Sequence, residues 1–179
     1  MSIAPASPVR TLEPAELKEL LIKSWLTHDA MWFRHCAEAL GLERANQLNL
    51  QAVRSMAAVE IRRLVKALGL GEVRDMNALR ALLDGAWQLI RADFMGFRLT
   101  YPRPNVLRWE TDRCFAFDGV SQLGAAAQYH CGIFPRMETW LETLGVRYTV
   151  APAFEGCLMH QTGACAREYT FSFDEAPPA

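Results

Sequence analysis

Residues 94–117 read FMGFRLTYPRPNVLRWETDRCFAF. Aromatic and aliphatic residues fall here into three short runs, Phe94–Tyr101, Val106–Trp109 and Arg113–Phe117, separated by Pro102, Pro104, Asn105 and Asp112. Runs of this length between turn-forming residues predict strands of an antiparallel meander. Upstream the pattern is different. Ala15 to Leu40 is apolar at helical spacing, with Pro14 and Glu16 suited to a first turn and Gly41 to a stop. A second helix is expected from about Glu43 to Leu68, closed by Gly69 and Gly71, with a stripe of Val53, Ala57, Glu60, Leu64 and Leu68. A third should start after the N-cap Asp75 and run to about Ile90.

Downstream, a helix is expected over roughly Leu123 to Leu144, broken or restarted at Pro135 and ended by Gly145. Two strands follow, Val146 to Ala153 and Cys165 to Phe173. The expected class is α+β, with a helical N-terminal half followed by an antiparallel sheet with a packed helix. The division reads as a disordered tail at 1–13, a helical half at 14–92, an α+β half at 93–174 and a frayed tail at 175–179.

The chain has 179 residues, 51% hydrophobic and 22% charged, which are globular proportions. Its 19 basic and 20 acidic side chains leave a net charge of -1, so no overall field draws in nucleic acid or anionic lipid. No window is apolar enough for a spanning helix, and the N-terminus lacks a secretory pattern, so a cytoplasmic protein is expected, with neither nucleic acid nor membrane as partner. The usual dinucleotide, P-loop, serine-hydrolase and zincin motifs are missing.

In a reducing compartment the five cysteines read as ligands, nucleophiles or core residues rather than disulfides. Cys131 heads the last helix, Cys157 follows the penultimate strand and Cys165 opens the last strand. Gly156 and Gly163 permit a tight loop that turns two thiolates toward a common point. Three thiolates with one further ligand would satisfy tetrahedral zinc, another transition metal being possible, and the candidates for the fourth position are His160, Glu155 and His130. His160 has the better placement. Cys36 and Cys114 sit among apolar residues and read as core thiols.

The run from Cys131 to Phe171 resembles the core of the 4-vinyl reductase domain. Cys131, Leu144-Gly145, Cys157, Gly163, Cys165 and Phe171 match its pattern in type and spacing. The resemblance implies a 4-vinyl reductase-like sheet half and zinc held by these cysteines beneath a small-molecule pocket. The family's carboxylate ligand, three residues before the second Cys, is Phe154 here, with Glu155 one step later. On the first helix, Trp25-Leu26-Thr27-His28-Asp29-Ala30-Met31-Trp32-Phe33 resembles an uncharacterised family grouped with the L-2-amino-thiazoline-4-carboxylic acid hydrolase-like proteins.

His28 and Glu60 interrupt apolar stripes on neighbouring helices. If the helices pack antiparallel, the two would meet in a pocket lined by Trp32, Trp87 or Trp109, where they could orient a ligand or relay a proton. Asp29 reads as a solvated or capping residue. The expected function is a metal-containing, small-molecule-binding or sensory module for an aromatic or heterocyclic ligand. The alternatives are a metal- or thiol-dependent hydrolase of a small heterocyclic carboxylic acid, with His28 or Glu60 as catalytic candidates, and an interaction subunit without a ligand. The first helix carries a second apolar face, Ile22, Leu26, Ala30 and Phe33, expected to pair in a homodimer.

Overall fold

A computed structural model describes residues 9–173; the expected tails over 1–8 and 174–179 lie outside them. Three helices come first: α1 (Pro14–Leu40), α2 (Leu42–Ala67) and α3 (Met76–Ile90). Each boundary has a local cause. Glu13 and Glu16 form a reciprocal capping box at the start of α1. Gly41 separates α1 from α2 at a positive φ of 82°, and Asp75 accepts from the Ala78 N–H at the start of α3.

The second half contains strands β1 (Arg98–Arg103), β2 (Val106–Thr111), β3 (Arg147–Ala151) and β4 (Cys165–Ser172). They form one antiparallel sheet in the order β1-β2-β4-β3. Helices α4 (Phe115–Gln122), α5 (Ile133–Thr143) and the short α6 (Leu158–Thr162) connect them. The chain is therefore α+β.

Two expectations are corrected. Arg113–Phe117 is no strand, because it turns into α4 immediately after β2. The buried Thr111 hydroxyl donates to the Arg113 carbonyl at 2.6 Å and accepts from the Arg113 N–H at 3.1 Å, closing a turn that no strand could continue through. The aromatic residues that resembled a strand pack instead as Phe115 against Phe94 and Phe97. Nor is Leu123–Leu144 one helix. A single 3-10 turn spans Ala126–Gln128, and α5 starts only at Ile133. Pro135 then sits in the first turn of α5, where an N–H is not needed.

The sheet has one wet and one dry face, as an antiparallel sheet allows. On the dry face Leu107, Trp109 and Thr111 of β2 lie opposite Tyr169, Arg167 and Cys165 of β4, all buried. On the wet face Arg108 pairs with Glu110 and Glu168, and Arg103 and Arg98 extend the ladder. Trp109 meets Trp87 of α3, Phe97 and Phe134 of α5 edge to face, at 5.4 to 6.3 Å between ring centroids. Helix α2 packs between α1 and α5, which leaves α1 as the outer layer.

Candidate functional site

Cys114, Cys131, Cys157 and Cys165 belong to or pack against one buried core and are coupled to one another by charge. The register sets Thr111 opposite Cys165, so the turn after β2 carries Cys114 toward the start of β4. Cys157 is delivered by the 152–157 segment and caps α6. The Cys131 N–H donates to the Gly156 carbonyl at 3.0 Å, which sets the entry to α5 beside the Cys157 loop. Cys114, Cys157 and Cys165 are buried and Cys131 is half-buried against the same core.

Neighbouring elements hold this arrangement. Asn46 of α2, itself buried, donates to the Gln128 carbonyl at 2.7 Å and accepts from the His130 N–H at 3.1 Å, clamping the segment that leads into Cys131. Gly132 lets that segment press on α2, since a Cβ there would lie 3.2 Å from Val53 Cγ2. Gly96, at φ +70°, does the same for the Cys114 turn, because a Cβ would lie 2.9 Å from the Arg113 carbonyl oxygen.

Electrostatics ties the four thiols together. Burial pushes Cys131 and Cys165 up to about 12 and raises Cys114 as well. Backbone N–H groups of Phe117 and Ala116 at Cys114, and of Ile133 and Phe134 at Cys131, pull the other way by favouring the thiolate. Charge on any one of the four raises the proton affinity of its neighbours: Cys165 is affected by Cys131, Cys114 and Cys157, and Cys131 by Cys114 and Cys157. Cys114, Cys131 and Cys165 are therefore held as neutral thiols. Among the described residues no three His, Cys, Asp or Glu side chains are arranged to hold a metal ion.

The expected fourth ligands are not in this group. His160, His130 and Glu155 are exposed, and the Glu155 carbonyl is engaged by the Gln161 side chain. Phe154 packs on Phe134 and Arg167. Cys114, expected to be a core thiol, is buried in the core.

The helical constellation is also rearranged. His28 does not meet Glu60, because its side chain is 76% exposed on α1, with Asp29 at 3.8 Å. Glu60 instead faces α5, where Arg136 donates to it through Nε at 2.8 Å and through Nη2, and Trp140 Nε1 donates at 3.1 Å. Trp87 and Trp109 lie in the aromatic core rather than beside Trp32, which is 67% exposed. Trp109 Nε1 is buried without a hydrogen-bond partner among the described residues. Arg167, which the sequence reading did not single out, is buried on the dry face. It pairs with Glu138 of α5 at 2.5 Å, donates to the Pro152 carbonyl and lies over the Phe134 and Phe154 rings.

A cleft of about 140 Å3 lies between α1 and α2, bounded by Trp25, Asp29, Trp32, Phe33, Asn49 and Met56. Asp29 borders this cleft and its side chain is 56% exposed, as a solvated residue was expected to be. Burial raises its pKa, against the opposing pull of His28 and Arg136.

Residues 12–91 match the model of a family of unknown function, DUF6125. The match covers α1 to α3, a little under half of the chain, and does not reach Cys114, Cys131, Cys157 or Cys165. No curated protein and no solved structure matches the chain. Among the described residues no helix is long and apolar enough to cross a membrane.

Proposed function

We propose that the protein is a metal-containing small-molecule-binding or sensory module, in which Cys131, Cys157 and Cys165 hold zinc and the α1–α2 cleft takes an aromatic or heterocyclic ligand. What supports the reading is that Cys131, Cys157 and Cys165, contributed by distant segments, share one core and are coupled by charge, with backbone N–H groups favouring thiolate at Cys131. Zinc there would act as a cross-link, joining the start of α5, the 152–157 segment and β4. The chain's own residues do the remainder: Asn46 and Gly132 fix the approach of Cys131, while Trp25 and Trp32 flank the ring and Asp29 and Asn49 orient its polar group.

The cleft supports the ligand half of the reading by its size and its aromatic walls. Hydrolysis of a heterocyclic carboxylic acid draws no comparable support, since His28 faces solvent and Glu60 is engaged by Arg136 and Trp140. A second reading, an interaction subunit, is favoured by one observation. Leu17, Leu21, Trp25 and Trp32 are exposed apolar residues of α1, the two tryptophans also bounding the cleft toward α2. The face expected to make the dimer is used internally, with Phe33 against Tyr129 and with Ile22 and Leu26 packed on the core, so any partner meets the opposite side.

Native mass spectrometry of protein purified without added metal or ligand tests the proposal. The expected mass exceeds that of the chain by one zinc, with a further increment for any retained organic molecule. A population entirely at the mass of the bare chain would overturn it.

A further inference from the structure

We infer that the cleft between α1 and α2 takes the head group of a small organic cation, a quaternary ammonium held by the Trp25 and Trp32 rings and the Asp29 carboxylate. The inference rests on the proposed function above and adds to it the charge and chemical class of the ligand. Three observations carry it.

The first is the lining. On α1, Trp25, Asp29, Trp32 and Cys36 recur at intervals of four, three and four residues, so they share one face of the helix. Helix α2 meets them with Ala45, Asn49, Ala52 and Met56 at the same intervals, and its two alanines are too short to fill the seam, which leaves about 140 Å3. Asp29 is the one charged residue among those lining it. Packing behind the walls fixes them in place. Phe33 meets Tyr129 edge to face at 5.6 Å, and Asn49 and Val53 press on Gly132, where a Cβ would lie 3.4 and 3.2 Å from their side chains. The cleft is therefore formed before a ligand arrives, which lowers the cost of binding.

The second is charge. The chain's own cations compensate Asp29 only in part, since His28 stands 3.8 Å away and is 76% exposed, and Arg136 is paired with Glu60. Their pull does not offset the cost of burial, so the carboxyl holds its proton above the ordinary Asp range. A cation in the cleft supplies the missing compensation. The third is the aromatic wall. Trp25 already draws a cation to its ring, the Arg136 guanidinium at 5.4 Å from the centroid, and Trp32, 67% exposed at the rim, offers a second ring. Among the lining side chains only Asp29 and Asn49 present oxygen acceptors. A primary ammonium has three N–H donors to satisfy and is poorly served there, whereas a quaternary nitrogen has none. Its spread charge and apolar surface suit aromatic walls with a single carboxylate. A quaternary nitrogen within a heterocycle meets the same terms.

The test is an NMR titration of the full chain, following the indole N–H resonances, with choline and with its uncharged isostere, in which a tert-butyl group replaces the trimethylammonium. Trp25→Phe and Trp32→Phe assign the two signals. Choline should shift both, bind roughly tenfold more tightly than the isostere, and lose that advantage in Asp29→Asn while the chain keeps its helical circular dichroism. Should Asp29→Asn not fold, the ratio in the wild type alone decides. Equal binding of the two probes would overturn the cation, and shifts confined to other tryptophans would overturn the site. Binding of phenol without choline would overturn this inference and leave the proposed ligand cleft standing; binding of neither would overturn both. A peptide carrying trimethyl-lysine separates the sources of the same head group. Free choline should bind at least as well, and binding of the peptide alone would overturn a small-molecule ligand.

Discussion

Replacing Arg136 by Met tests whether Glu60 is a structural latch or a group available to a ligand. The substitution keeps an apolar stem of similar length beneath Trp25 and Trp140, whose rings lie 5.4 and 5.6 Å from the guanidinium, and removes the charge. Glu60 is left with only the Trp140 N–H at 3.1 Å. Breaking a fully buried pair costs about 3–5 kcal/mol, whereas an exposed pair is worth about 0.2–1 kcal/mol. The Arg136 and Glu60 side chains are 19% and 17% exposed, close to the buried limit but open to some solvent. The expected loss is therefore about 2–3 kcal/mol.

Urea unfolding should show it as a lowered midpoint at unchanged slope, and for a chain of this size the melting temperature should fall by roughly 5–10 °C. The double variant Glu60→Leu with Arg136→Met should recover most of the loss, because no charge is then left unpaired. A loss below about 0.5 kcal/mol for Arg136→Met, or a double variant as unstable as the sum of the singles, would refute the latch.

Two further outcomes follow from the helical layer. Burial raises the pKa of Asp29, so the folded state holds its proton more tightly than the unfolded one; the associated stability is present below the ordinary Asp range and is lost as pH rises through the raised value. Asp29→Asn should therefore melt higher than wild type at pH 7, with the gap closing toward pH 3, and a gap that persists in acid would contradict the assignment. The exposed apolar residues of α1 should make the chain a homodimer at micromolar concentration, and Leu21→Glu or Trp32→Glu should convert it to monomer by sedimentation without loss of helical signal. A monomeric wild type would remove the homodimer.

The legible part of the fold was the part with local causes. Helices α1, α2 and α3 begin and end where Pro14, Gly41 and Asp75 supply the stop and start signals, and their 3.6-residue stripes extend over several turns. The antiparallel class was legible from the short apolar runs between Pro102 and Asp112. Arg113–Phe117 misled because aromatic residues favour strands only where a flat neighbour exists. The Thr111 side chain turns the backbone away from the sheet, and that contact is invisible in residue type.

Sites built from long-range pairing were harder to read. His28 and Glu60 stand on stripes that were assigned to one shared interface, yet α2 presents Glu60 to α5 while α1 presents His28 outward. The alternation in Cys165, Arg167, Tyr169 and Phe171 does put Arg167 on the buried face, so a period-2 reading of β4 was sufficient to find it. Cys114 was legible as a core thiol from its apolar neighbours in sequence, and it is buried in the core.

The central claim, that a metal binds the cysteines and stabilises the C-terminal half, is met most directly by thermal unfolding of the wild-type chain with and without a strong chelator. A structural zinc contributes several kcal/mol to folding, and at roughly 2–4 °C per kcal/mol for a chain of this length its removal should lower the melting temperature by at least about 10 °C, restored on adding zinc. An identical melting curve in the presence of chelator, from protein that elemental analysis shows to be metal-free, would contradict the account.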